Sequence, residues 1–124
     1  MTGTPQSPRE VVGAFMAAMV KKDYDTALPY IADNCEYDNV PISKVYGPAG
    51  VRAVLEPFFA LTLESEFIVL REVTNGPAVF LERLDRHLLP TGWVGLPVTG
   101  VFEVHHGKIT LYRDYFDAVT FLSK

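Results

Sequence analysis

Two carboxylates and a guanidinium stand on segments that otherwise read as core. Asp114 lies within Arg113-Asp114-Tyr115-Phe116-Asp117 near the C-terminus, and Asp85 follows Arg83 in Arg83-Leu84-Asp85. Both stretches read as strands, along which side chains alternate between faces. Val79, Leu81, Arg83, Asp85 and His87 therefore share one face, and Phe80, Glu82, Leu84 and Arg86 the other. Tyr112, Asp114 and Phe116 likewise share a face opposite Leu111, Arg113 and Tyr115. A few polar groups among apolar neighbours have the composition of a pocket wall. They also have the composition of a structural Asp–Arg–Asp ion cluster, because ionised side chains are almost never fully buried unless paired. The residues alone leave both readings open.

Tyr37-Asp38-Asn39 is the third constellation. On an extended segment Tyr37 and Asn39 share a face, and a phenol and a carboxamide at that spacing can hold a water between them. The plainer reading gives Asn39 to the turn before Pro41 and Tyr37 to the core, and on this pair alone it is the favoured one. His87 shares the face of Arg83 and Asp85, so it is either an accessory pocket group or a partly exposed strand-end histidine. His105-His106 precede Gly107 as an exposed turn and lack the spaced ligand set of a metal site. Cys35 has no histidine partner and packs as a small hydrophobe. The chain has neither a phosphate-binding glycine loop nor a Gly-x-Ser-x-Gly nucleophile elbow.

The elements that must position these groups follow from pattern and punctuation. The 124 residues, 48% of them hydrophobic, suffice for one domain spanning 1–124 with one core. A net charge of −4 without any Lys/Arg cluster argues against nucleic-acid binding. The single cysteine excludes an internal disulfide and fits a reducing compartment. With no signal peptide apparent at Met1–Ser7 and no apolar run of about 18 residues, the expectation is a soluble, cytoplasmic domain with no membrane partner. Ser7-Pro8-Arg9-Glu10 is a capping box with proline at the first helical position, and Val11, Val12, Phe15, Met16 and Met19 form one helical face. Lys21 and Lys22 suit the end of that helix. Asp23 caps a second helix carrying Ala27, Leu28, Tyr30 and Ile31, and residues 34–40 are extended. A third helix carries Val51, Val54, Leu55, Phe58 and Phe59 until Pro57 ends or kinks it. Strands are expected at 66–74, 78–89, 94–105 and 108–116, the third interrupted near Pro97 and Gly100. Asn75-Gly76, Pro90-Thr91-Gly92 and His106-Gly107 are the turns. Asp117 caps a short terminal helix over 117–122. Helices followed by a strand meander make an α+β protein, with a curved sheet wrapped around the helices and a cone open at one end.

With these motifs in place the chain resembles the limonene-1,2-epoxide hydrolase family, in the SnoaL-like group of the NTF2-like fold. The resemblance rests on Arg83-Leu84-Asp85, Leu89-Pro90-Thr91-Gly92, Gly100-Val101-Phe102, Gly107-Lys108-Ile109 and Arg113-Asp114-Tyr115-Phe116-Asp117, in that order, together with Tyr37-x-Asn39. It implies an NTF2-like cone: N-terminal helices packed in a curved mixed or antiparallel sheet. It implies hydrolysis of a small apolar, cyclic or terpenoid epoxide to a vicinal diol in one displacement. Asp114 would be the general base, with Tyr37 and Asn39 holding the water. Asp85 would be the general acid, and Arg83 would orient both carboxylates. No cofactor, metal or covalent enzyme intermediate is implied, whereas a homodimer through the outer sheet face is. By the same resemblance Leu96, Val98 and Phe116 line the substrate pocket, and His87 stands where relatives more often carry an aliphatic residue. Acid and base act at opposite ends of the breaking C–O bond, so the two carboxylates need different protonation states. A shared arginine and unequal burial can provide them.

Two alternatives stay open on the same fold. One is a ketosteroid-isomerase-like or polyketide-cyclase-like enzyme, in which one aspartate abstracts a carbon-bound proton. The other is a non-catalytic module that binds a hydrophobic ligand in the cone. The fold by itself does not choose among them.

Overall fold

The computed structural model describes residues 6–117. The terminal helix expected over 117–122, and with it the capping role of Asp117, falls almost wholly outside them. The elements run α1 (Pro8–Val20), α2 (Tyr24–Ala27), a 3₁₀ turn (Leu28–Tyr30), β1 (Ile31–Val40), β2 (Ser43–Tyr46), α3 (Gly47–Ala60), β3 (Glu64–Asn75), β4 (Ala78–Leu89), β5 (Gly92–His105) and β6 (Lys108–Tyr115). The strands form one mixed sheet in the order β2-β1-β6-β5-β4-β3. The β1·β6 pairing is parallel and the others are antiparallel. Helices cover one face of this curved sheet, and the core lies between. Among the described residues no helix is long and apolar enough to cross a membrane.

The capping box forms as expected. Glu10 N–H donates to Ser7 Oγ at 3.2 Å and Ser7 N–H to Glu10 Oε1 at 2.8 Å. The helix it starts buries Val11, Val12, Phe15 and Met19 completely or nearly so. Lys21 and Lys22 do not lie in its last turn: Lys22 adopts a positive φ of 57° and its Nζ donates to Thr62 O at 2.6 Å. The second helix is shorter than expected. Pro29 favours a tight 3₁₀ turn after Ala27, and Ile31 already belongs to β1. In α3 three residues follow Pro57, because burial of Phe59 (1% exposed) outweighs the missing helical hydrogen bond.

The expected interruption near Pro97 and Gly100 is absent, and the β4·β5 register is unbroken from Ala78↔Glu103 to Leu89↔Gly92. Pro97 fits because β5 pairs with β6 only from Thr99 onward, so no ladder bond on that side needs its missing N–H. Irregularities lie elsewhere: between Ile31 and Glu36 on β1, between Val69 and Arg71 on β3, and opposite Glu103 and Val104, where β6 skips Thr110.

Candidate active site

Cross-strand register assembles the site in rows across the inner face of the sheet. Tyr37 on β1 pairs with Tyr112 on β6, and Tyr112 with Phe102 on β5. One row on, Asn39 pairs with Asp114, and Asp114 with Gly100. The next rows join Arg83 to Val98, then Asp85 to both Leu96 and Phe67, then His87 to both Val94 and Ser65. The alternation read from the sequence on β4 is the one observed: Val79, Leu81, Arg83, Asp85 and His87 are all buried.

Arg83 and Asp114 are one row apart, so the guanidinium must cross the backbone of β5 to reach Asp114. It does so over Gly100. A Cβ built there would lie 2.5 Å from Arg83 Nη1 and 2.9 Å from Asp114 Oδ1. Gly100 is thus a device of the site that composition alone does not reveal. We expect Gly100→Ala to fold, because only side-chain ends must give way. Its turnover should fall about a hundredfold, as misplacement of reacting groups by roughly 1 Å does. Steady-state kinetics beside a thermal melt separate the two effects.

The ion cluster is closely made. Arg83 Nε and Nη2 donate to Asp85 Oδ1 and Oδ2, both at 2.9 Å, in a bidentate fork. Arg83 Nη1 and Nη2 donate to Asp114 Oδ1 and Oδ2 at 3.2 and 3.1 Å. The three residues are only 2%, 6% and 7% exposed, so the cluster is removed from solvent. One cation serves two carboxylates, which leaves a carboxylate under-compensated. Burial pushes the Asp114 carboxyl above its ordinary value; the Arg83 charge pulls it back in part, and the Asp85 charge adds to the rise. Burial also disfavours the charged guanidinium, but the two carboxylates outweigh it and hold Arg83 protonated.

Tyr37 and Tyr112 stack with centroids 4.2 Å apart, and Tyr112 stacks on Phe102 at 4.9 Å. Burial and the Asp114 charge push the Tyr37 hydroxyl up, against side-chain hydrogen bonds with Asn39 and Tyr112, so it stays a neutral donor. Tyr112 is a participant that the sequence reading placed only as an apolar neighbour of Asp114. Its parity on β6 was visible, but its stacking on Tyr37 required the parallel β1·β6 pairing.

These groups open into a cavity of about 230 Å³ between the sheet and α3. Its polar wall includes Tyr37, Asn39, Arg83, Asp85, His87 and Asp114. Leu96, Val98 and Phe116, expected from the resemblance, lie on its apolar wall, as do Val54, Phe58 and Phe67, which were not anticipated there. The volume is the room of roughly eight water molecules, which restricts the occupant to a small molecule. Outside the cavity, Arg113 faces away from Asp114 and donates to Glu36 Oε2 at 2.8 Å and Asp38 Oδ2 at 3.2 Å. Cys35 is fully buried, and desolvation pushes its thiol up to about 12, so it packs as an inert hydrophobe. His105, at the end of β5, and His106, in the turn that follows, are exposed.

The sequence profile of the limonene-1,2-epoxide hydrolase catalytic domain matches residues 6–124. Epoxide hydrolase EphG of Mycobacterium tuberculosis is 36% identical over 106 residues, which is 86% of this chain and 70% of that protein. A solved structure of an M. tuberculosis LEH-like epoxide hydrolase superposes with a TM-score of 0.81 at 33% identity, covering 94% of this chain and 86% of that one. A protein from Shewanella denitrificans described as SnoaL-like shares the fold at 18% identity, with a TM-score of 0.83 and 94% of each chain covered. The α+β cone is thus the NTF2-like architecture of the SnoaL-like group. The chain belongs to the limonene-1,2-epoxide hydrolase family, and is an enzyme of the epoxide hydrolase class.

Proposed function

We propose that this enzyme adds water to a small, largely apolar epoxide in one displacement, giving a vicinal diol. The observation that carries the reading is one buried guanidinium engaged by two carboxylates at the wall of a small cavity. Asp114 removes a proton from the attacking water, which Tyr37 and Asn39 orient. Asp85 protonates the epoxide oxygen as the C–O bond breaks, and Arg83 fixes both carboxylates. Leu96, Val98 and Phe116 receive the carbon skeleton, with His87 beside them. Ring strain lies in the substrate, so acid–base assistance and positioning suffice. The water supplies both the added hydroxyl and the proton handed to Asp114, and no covalent bond to the protein is needed.

The raised position of Asp114 sets a pH dependence. The base must be ionised, so activity falls as pH drops through a value above the ordinary aspartate value of about 3.9. The acid limb of kcat/KM should therefore lie above that of an exposed aspartate. Its midpoint belongs to the coupled pair. An acid limb at or below the ordinary value would contradict the assignment of Asp114 as base.

A panel of small epoxides in heavy water, with chiral analysis of products, tests the reaction class. Diol without exchange of carbon-bound hydrogen is the expected result; isomerisation with such exchange would favour proton abstraction from carbon. The outer sheet face exposes Leu70, Phe80 and Tyr115, at 56%, 43% and 44%, which supports the homodimer implied by the family resemblance.

A further inference from the structure

His87 is a polar group held inside an otherwise apolar part of the cavity, and its hydrogen bonds decide what it offers there. The ring is 6% exposed and packs edge-on against Phe58 and Phe59, with centroids 4.8 and 6.0 Å away. Its Nδ1 lies 2.8 Å from Ser65 Oγ, across the β3·β4 register. Ser65 Oγ lies 3.4 Å from Thr62 Oγ1, and Thr62 Oγ1 donates to Phe59 O at 2.8 Å. Thr62 has one hydroxyl proton and gives it to Phe59. The Ser65–Thr62 contact can therefore be a hydrogen bond only with Ser65 as donor. That order presents a Ser65 lone pair to His87 and places the proton on Nδ1. One proton per contact satisfies all three links; the reverse order leaves two oxygen lone pairs facing each other. The neutral ring therefore leaves Nε2 unprotonated, and His87 lines the cavity. Among the described residues no hydrogen bond to Nε2 is present. Burial, which lowers the imidazole to about 4, keeps the ring neutral throughout the neutral range.

We propose that His87 is a specificity-determining residue, whose Nε2 accepts a hydrogen bond from a hydroxyl on the substrate's carbon skeleton and makes the cavity selective for hydroxylated epoxides. The inference rests on the hydrolase reading above and narrows its substrate class. Asp85 and His87 are two residues apart on one strand face, which puts the acceptor ~6.5 Å along the strand from the acid. That spacing suits an alcohol across a small ring from the epoxide rather than one on the adjacent carbon. An apolar pocket barely distinguishes a skeleton with or without a hydroxyl. A placed acceptor does, because leaving it unpaired in the complex is costly.

The test is a substrate pair: an alicyclic epoxide and its counterpart with one hydroxyl across the ring. The parent enzyme should favour the hydroxylated member in kcat/KM by tenfold or more. His87→Leu should erase or invert that ratio, whatever its absolute rates. Ser65→Ala, which leaves the ring in place but frees its tautomer, should lower the ratio several-fold. A ratio unmoved by either variant would reduce His87 to a packing residue and overturn the proposal. A readout independent of turnover and of the variants' folding is the ¹⁵N spectrum of histidine-labelled parent protein. Nε2 should be unprotonated, and should shift on adding the ring alcohol but not the ring hydrocarbon. A protonated Nε2, or no response to the alcohol, overturns the proposal. Absence of diol from both epoxides, with the nitrogen still responding to alcohol, would instead sink the hydrolase reading.

Discussion

Asp114→Asn should lower diol formation roughly a thousandfold, the middle of the range for loss of a positioned general base. A carboxamide cannot take the proton from water, and Asp114 sits where no other described carboxylate but Asp85 shares its guanidinium. The fold should survive, because the carboxamide oxygen still accepts from Arg83 and the cluster becomes a simple Arg83–Asp85 pair. The expected signature is a large fall in kcat with a melting temperature close to the parent's. Asp85→Asn should produce the same kinetic collapse from the acid side. Comparable activity in either variant would return the cluster to a structural role.

Arg83→Met should be the most destabilising single change in the site. Its side chain is 2% exposed, and those of its partners Asp85 and Asp114 are 8% and 10% exposed. Removing the only cation of the cluster leaves two buried carboxylates facing each other. Breaking a buried pair in this way costs about 3–5 kcal/mol. For a domain of this size that lowers the melting temperature by roughly 10–20 °C. Activity should vanish with it, because Arg83 no longer holds either carboxylate in position for proton transfer. Adding Asp114→Asn to Arg83→Met should recover part of the lost stability, since one of the stranded charges is gone. A thermal melt of the three proteins reads this directly, and strict additivity of the two changes would contradict the coupled cluster.

The faces of β4 and β6 were legible in the sequence because alternation is a local property. Arg83, Asp85 and His87 had to point one way once the strand was granted. The capping box and the strand limits of β4 were legible for the same reason. The partnership between strands was not. The crossing of Arg83 to Asp114 over Gly100 depends on a register set by two hairpins, and the glycine read as a candidate strand break and as part of a family motif, not as the floor of an ion cluster. The stacking of Tyr37 on Tyr112 depends on a parallel pairing between distant segments, and β2 is too short and polar to announce itself. The link from His87 through Ser65 to Thr62 joins β4, β3 and the connection before β3, and neither serine nor threonine carries a signal of that role. The resemblance to a family supplied the roles, and local pattern supplied the faces.

In the proposed mechanism Asp114 activates water and does not itself attack the substrate. A single turnover with enzyme in excess, in water enriched in heavy oxygen, tests it most directly. The diol from the first turnover should already carry one heavy oxygen, and the carboxylates of Asp85 and Asp114 none. A first-turnover diol with only ordinary oxygen, and heavy oxygen appearing in an aspartate, would show a covalent ester intermediate and contradict it.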